Sequence, residues 1–269
     1  MAEPPDWVPE GIEVSVPNFA RVYDYVLGGY HNFAADREFV DQALEVWPTA
    51  AAVGHANRAF TRRSVQWLVR NAGIRQFLDF GSGIPTLGNT HEIAQAAAPE
   101  SRVVYVDIDP VAVAHSRAIL ADNPLADALQ ADLRDMDDIL TDQVTALLDF
   151  DRPVAAMFNA VLHFVSDLDD VVAAMERLRA SMVRDSYLVI THGTAVAELT
   201  REQREVTDLY RSSNATPGYL RTPDEIRVLL AGMDVVEPGI VPVTDWHPDP
   251  EETDDLAQPV MLAVVARQP

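Results

Sequence analysis

The spacing of apolar and polar positions changes character partway along this chain. From Asn18, the residues Phe19, Val22, Tyr23, Val26 and Leu27 share one helical face until Gly28-Gly29 stops the run. The same spacing predicts helices over 35–46, ending before Pro48, and over 50–71, with Phe60, Val65, Leu68 and Val69 inward. Residues 1–17, with prolines at 4, 5, 9 and 17, read as an irregular lead-in. After Gly73 the pattern alternates. Apolar runs at 76–80, 102–107, 127–131, 153–158 and 186–191 read as strands, with helical patterns at about 88–98, 110–121, 137–148 and 168–182 between them. Val103-Val104-Tyr105-Val106 and Tyr187-Leu188-Val189-Ile190 are unbroken apolar runs, as strands buried on both faces require. A polar helix at about 196–212, a helix opened by the capping sequence Thr222-Pro223-Asp224-Glu225, and two strands near 234–243 and 260–266 follow. The acidic stretch between those strands, residues 245–258, is too polar for core. The expected architecture is α/β, a doubly wound and mostly parallel sheet. An N-terminal helical extension (residues 1–72) would form a lid over a core of residues 73–269.

In such a sheet ligands bind outside the carboxyl ends of the strands, so the residues at each predicted end are the candidate site. The first strand runs into Asp79 and the turn Gly81-Ser82-Gly83, where glycine allows a tight turn and close approach of backbone to a ligand. The second ends in Asp107-Ile108-Asp109-Pro110. Asp107 is placed to accept from ribose hydroxyls, whereas Asp109 before Pro110 suits a helix N-cap. The third ends at Asp132-Leu133, a carboxylate for an adenine amino group or a solvated loop residue. The fourth gives Asn159 and His163, and the fifth Thr191-His192-Gly193. Glycine turn, ribose acid and third acid describe an adenosine site that needs no pyrophosphate. Pro85-Thr86, where a dinucleotide fold would carry its third glycine, points the same way.

Composition narrows the chemistry. The 269 residues include no Cys, which excludes disulfides, thiolate metal sites and cysteine nucleophiles. All 20 basic residues are Arg, so lysine Schiff bases, the P-loop lysine and a Tyr–Lys reductase pair are absent too. A formal charge of −22 repels phosphate backbones, so no nucleic-acid partner is expected. The N-terminus lacks a signal pattern, no apolar run is long enough for a membrane span, and no metal-ligand cluster stands out. A soluble, cytoplasmic protein is the expectation.

Several runs resemble a known family. Ala-Arg-Val-Tyr-Asp-Tyr-Val-Leu-Gly-Gly (20–29), Asn-Phe-Ala-Ala-Asp-Arg (32–37), Asn-Arg-Ala-Phe (57–60), Gln-Phe-Leu-Asp-Phe-Gly-Ser-Gly-Ile-Pro-Thr (76–86), Val-Val-Tyr-Val-Asp-Ile-Asp-Pro (103–110) and Ala-Val-Leu-His-Phe (160–164) are similar to class I S-adenosylmethionine-dependent methyltransferases. Within that class the chain resembles an actinobacterial S-adenosyl methyltransferase family, formerly a domain of unknown function, whose substrate is unassigned. The resemblance implies a Rossmann-like sheet of seven strands with the last antiparallel, and S-adenosylmethionine as cofactor. Gly81, Ser82 and Gly83 would then lie against its methionine and ribose, and Asp107 would bind the ribose hydroxyls. Ile108 would pack on the adenine face, with Asp132 and the Leu133 backbone at the adenine edge. The backbone near Asn159, with Asp79 close by, would meet the methionine ammonium.

The implied function is methyl transfer to a small-molecule acceptor. His163 is the preferred base and His192 a second candidate, each also readable as a packed histidine. Tyr23, Tyr25, Tyr30, Phe33, Asn18, Arg21 and Arg37 would cover cofactor and acceptor or simply cement the helices to the sheet, and Tyr23 is taken as the cofactor contact among them. Arg58, Arg62 and Arg63 would meet a carboxylate or neutralise acidic neighbours. Two rival functions fit less well: a non-catalytic binder of S-adenosylmethionine or S-adenosylhomocysteine, and a nicotinamide oxidoreductase.

Overall fold

Three helices precede the first strand: α1 (Phe19–Val26), α2 (Ala34–Val46) and α3 (Ala50–Asn71). The computed structural model describes residues 13–84, 88–194, 201–212, 218–249 and 260–269. Residues 1–12, Pro85-Thr86, the first part of the predicted helix at 196–212 and most of the acidic stretch lie outside them.

From β1 (Gln76–Phe80) the chain alternates: α4 (Thr90–Ala97), β2 (Arg102–Asp107), α5 (Pro110–Leu120), β3 (Ala126–Gln130), α6 (Met136–Ile139), α7 (Asp142–Thr145), β4 (Ala155–Asn159), α8 (Leu168–Ser181) and β5 (Tyr187–Gly193). These five strands pair in parallel in the order β3-β2-β1-β4-β5. After α9 (Arg201–Ser212) and α10 (Pro223–Leu229) come β6 (Asp234–Val235), β7 (Val241–Pro242) and β8 (Met261–Arg267). β8 runs antiparallel to β5 on one side and to both β6 and β7 on the other. This is the mostly parallel, doubly wound sheet that the alternation predicts.

Alternate side chains of each strand enter opposite cores. Leu78, Phe80, Val104, Val106, Phe158 and Leu188 meet Ile139, Met175, Leu178 and Ile226, from α6, α8 and α10. Phe77, Val103, Tyr105, Met157 and Val189 meet Phe60, Leu68, Ala94 and Val113, from α3, α4 and α5. A strand with both faces covered gains nothing from alternation, which is why the runs are unbroken. Arg63, buried, donates from Nε to the Trp246 carbonyl at 3.0 Å and from Nη2 to that of Val243 at 2.6 Å, while Arg62 pairs with Asp249 at 2.7 Å. Both tie α3 to the segment before the last strand and are committed there. A third, smaller core joins α1 and α2 to α9 through Val22, Phe39, Val40, Ala43 and Val206.

Three element expectations need correction. The helix predicted over 137–148 is two short ones, α6 and α7, because Thr141 sits at the join and such side chains favour starts over interiors. The strand predicted over 234–243 is broken into β6 and β7 around Pro238, which has no N–H for the ladder. From Val235 to Val241 the chain advances six residues while its partner advances three, from Ala266 to Ala263. The fifth strand runs two residues further than predicted, to Gly193, because β8 pairs it along its whole length. His192 is therefore inside a strand, not at its end.

Candidate active site

At the carboxyl edge of the sheet a cavity of about 1020 Å³ opens between the ends of β1, β2, β3 and β4 and the helices α1, α2, α3 and α9. Eleven of the residues singled out from the sequence line it: Tyr23, Asp79, Gly81, Ser82, Gly83, Asp107, Ile108, Asp132, Leu133, Asn159 and His163.

The glycine turn is shaped by contact with the next crossover. Gly81 has φ of +62°, and a Cβ there would fall 2.2 Å from Val161 Cγ2. No other residue fits without moving the loop after β4. Its N–H donates to the Val106 carbonyl at 2.7 Å, and the Gly83 N–H donates to Asp107 Oδ2 at 2.7 Å. Asp107 Oδ1 accepts the Asp109 N–H at 2.9 Å, and Asp109 caps α5 through the Val111 N–H. Asp109 is thus the helix N-cap that its place before Pro110 predicts. Burial pushes the Asp107 carboxyl up to about 6 against the two N–H groups that favour its charge. Asp79, also buried, is likewise raised to about 6 by burial, against a 2.6 Å hydrogen bond from the Thr90 hydroxyl and the nearby Arg58.

At the third strand end, Asp132 accepts from Arg134 Nε at 2.9 and 3.0 Å, one distance to each oxygen. That pairing holds its carboxyl below the usual range. Ile108 is 63% exposed at the mouth of the cavity.

The fourth strand end carries the most unusual geometry. Asn159 ends β4, and its amide Oδ1 and Nδ2 are both buried without a hydrogen-bond partner. Ala160 follows with φ of +54°, a conformation that costs a non-glycine residue about 1 kcal/mol. It is held there because its N–H donates to Thr191 Oγ1 at 2.8 Å. Thr191 in turn donates to Asn57 Oδ1 at 2.7 Å, Asn57 Nδ2 donates to the Tyr23 hydroxyl at 3.1 Å, and that hydroxyl donates to the Gly54 carbonyl at 3.0 Å. One chain of hydrogen bonds thus joins α1 and α3 to the ends of β4 and β5. A buried polar group left without a partner costs about 1–3 kcal/mol, which makes the Asn159 amide a candidate ligand contact.

His163 stands in a one-turn 3-10 helix, Leu162–Phe164, with its Nδ1 buried and unpartnered. Burial first, then the neighbouring His192 and Arg221, push its pKa down to about 3, so the ring is neutral. His192 is committed elsewhere. Its Nδ1 lies 2.6 Å from the Gly193 carbonyl and so carries the proton, leaving Nε2 to accept from Arg221 Nη1 at 2.8 Å. It does not line the cavity. Arg221, buried, also donates to the carbonyls of Leu162 and Val165 at 2.7 Å each, pinning the turn that presents His163.

Among the aromatic and basic residues of the N-terminal helices, Tyr30 is 90% exposed and outside the cavity. Arg21 is buried against Asp36 at 2.9 Å, and Arg37 donates to Asn32. Arg58 differs. It lines the cavity beside Asp79 and over the Tyr23 ring, with its Nε buried and unpartnered. The run Asn57-Arg58 was visible in the sequence. Thr191 was visible as a strand-end residue, but nothing there signalled its bond to Asn57 or the role of Arg221, which depend on groups far along the chain.

A doubly wound sheet with a late antiparallel strand, a Gly-x-Gly turn bonded to the acid of the next strand and open polar groups at the fourth defines a class I methyltransferase. The chain belongs to the S-adenosyl methyltransferase family, whose sequence profile matches residues 5–269, and the cofactor of that family is S-adenosylmethionine. It is similar to the crystal structure of a DUF574 family protein from Streptomyces avermitilis (42% identity, 95% of this chain and 99% of that one, TM-score 0.89). It is also similar to a putative methyltransferase from Thermobifida fusca (39% identity, 98% and 99% covered, TM-score 0.89). The mitomycin 7-O-methyltransferase MmcR shares the fold alone, at 19% identity and a TM-score of 0.51 over 92% of this chain and 67% of that one. A search among curated proteins gave no match. Among the described residues no helix is long and apolar enough to cross a membrane.

Proposed function

We propose that this chain transfers the methyl group of S-adenosylmethionine to a small-molecule acceptor, with His163 receiving the proton that the acceptor sheds. The observation that carries the reading is the Asn159 amide, buried without a partner on the same cavity as the paired Gly83 and Asp107. The cofactor, when bound, supplies a methyl group activated on a sulfonium.

The residues present fit it. Asp107 still has lone pairs for two ribose hydroxyls, and Ile108 offers an apolar face to the adenine ring. Asp132 and the Leu133 backbone hold the adenine edge. The Gly81-Ser82-Gly83 turn lies along ribose and methionine, where the clash a Gly81 Cβ would make leaves no space for a side chain. Asn159 and the Asp79 carboxylate take the ammonium, Arg58 Nε takes the carboxylate, and Tyr23 closes the top. Asp79, Asp107 and Asp132 together make an anionic frame that suits a cationic ligand and repels a phosphate.

His163 Nδ1 is neutral and open. A pKa near 3 makes it a weak base toward a free alcohol. It is adequate toward an acceptor oxygen that becomes strongly acidic once it carries the new methyl. The chain's remaining contribution is to align acceptor and cofactor and exclude water.

Calorimetric titration with S-adenosylmethionine, S-adenosylhomocysteine and NAD tests the reading. Binding of the first two is expected, and binding of NAD alone overturns it. Turnover on an acceptor found by screening extracts separates an enzyme from a non-catalytic binder, and a His163→Ala variant of normal rate would remove His163 as base.

A further inference from the structure

We propose that the acceptor is an uncharged, largely apolar small molecule carrying one hydroxyl or amino group, housed between α1, α2, the first turns of α3 and α9. The inference rests on the methyltransferase reading and narrows it to a substrate class.

The cavity of about 1020 Å³ lies at the top of the ~300–1,000 Å³ range of a site for one drug-sized ligand, which leaves room beside a cofactor. Its two ends differ in chemistry. The polar and ionic groups described above gather at the strand ends. On the opposite wall, every lining residue between 39 and 53 is apolar, among them Val40, Ala43, Leu44, Trp47, Ala51 and Val53. Val206 of α9 closes the same side. Leu44, Trp47, Ala51 and Val53 are only half-buried. Burying such surface against an apolar ligand is favourable.

Of the charged side chains near this wall, Arg21 is paired with Asp36, Glu13 accepts from Ser15, and Asp109 caps α5. Arg58, whose Nε is open, is assigned above to the cofactor carboxylate. An ionic acceptor would lose its water against the apolar wall without gaining an ion pair there. Where the apolar wall meets the strand ends, His163 Nδ1 is the unpartnered polar atom that the cofactor contacts above leave open. That junction takes a single hydroxyl or amine and holds it where the methyl arrives. The bond made is from acceptor oxygen or nitrogen to methyl carbon, the bond broken is from that carbon to sulfur, and the acceptor's proton passes to His163 Nδ1 and then to solvent.

The test uses the full chain saturated with S-adenosylhomocysteine and compares 2-naphthol with 2-naphthoate by calorimetry, two probes that share a ring system and differ in charge. Saturable binding of 2-naphthol at least tenfold tighter than 2-naphthoate is expected. Ala51→Phe, which fills the compartment, and Leu44→Gln, which polarises its wall, should each weaken 2-naphthol at least tenfold and leave S-adenosylhomocysteine affinity within twofold. Equal or tighter binding of the naphthoate, absence of saturable naphthol binding, or naphthol affinity unmoved in both variants would overturn the proposal. Failure of the wild-type chain to bind S-adenosylhomocysteine would instead overturn the methyltransferase reading beneath it.

Discussion

Gly83 and Asp107, at the ends of different strands, are joined by a single 2.7 Å hydrogen bond from backbone N–H to carboxylate Oδ2. The bond fixes the glycine turn and aims the carboxylate in one step, so shape and ligand contact are not separable at this position. Asp107→Ala should weaken S-adenosylhomocysteine more than tenfold, about 1.4 kcal/mol. Asp107→Asn, whose amide oxygen can still accept from Gly83, should lose less. Calorimetry on the folded variants checks both, and an unchanged affinity in the alanine variant would take the ribose away from this residue.

The two buried acids also set a pH dependence. Asp79 and Asp107 are raised from 3.8 to about 6, so the folded chain holds protons that the unfolded chain has released. Their contribution to stability is therefore full below about 3.8 and is lost as pH rises through about 6. Cofactor binding runs the other way, because a cationic ligand and ribose hydroxyls favour ionised carboxylates. Affinity for S-adenosylmethionine should rise between about pH 5 and 7. Protons should be released on binding near pH 6, countable by calorimetry in two buffers of different ionisation enthalpy. A flat affinity across that window would mean that neither acid meets the ligand.

Asn57 lies in the middle of the hydrogen-bond chain from Tyr23 to Thr191. Replacing it by Leu removes the acceptor of the buried Thr191 hydroxyl and the donor to the half-buried Tyr23 hydroxyl, and should cost about 2 kcal/mol in chemical denaturation. Because Ala160 is held by Thr191, the same change should also loosen the loop after Asn159 and weaken S-adenosylhomocysteine. Wild-type stability and affinity in Asn57→Leu would show that the chain carries no coupling.

Gly81→Ala should be costly for two reasons that can be told apart. The left-handed conformation alone costs about 1–2 kcal/mol. The added Cβ also meets Val161 Cγ2 at 2.2 Å and Val161 Cβ at 2.4 Å. A second change, Val161→Ala, removes the methyl groups but not the Cβ, so it should rescue only part of the loss. Full rescue would mean that the backbone conformation carries no penalty.

The strand–helix alternation and the cavity residues at the strand ends were legible because both follow from local pattern: apolar runs mark buried strands, and strand ends collect at one edge. Tyr23, on α1, has no such signal. What the sequence hid is non-local. His192 looked like a strand end until β8 was seen to pair the strand past it. Arg221 reads as an ordinary charge before a capping box, yet it is spent on carbonyls of Leu162 and Val165. Thr141 and Pro238 are the exceptions: local breakers in plain view that interrupt a longer apolar pattern.

β8 has a consequence for how the chain is made. The five parallel strands are complete once synthesis passes Gly193, but β5 keeps an open edge, and β6 and β7 have no neighbour of their own. All three wait for Met261–Arg267, which slots between them. A ribosome-bound chain lacking that segment exposes the β5 edge as a template for other strands. Closure of the sheet therefore follows the five parallel strands and depends on Met261–Arg267.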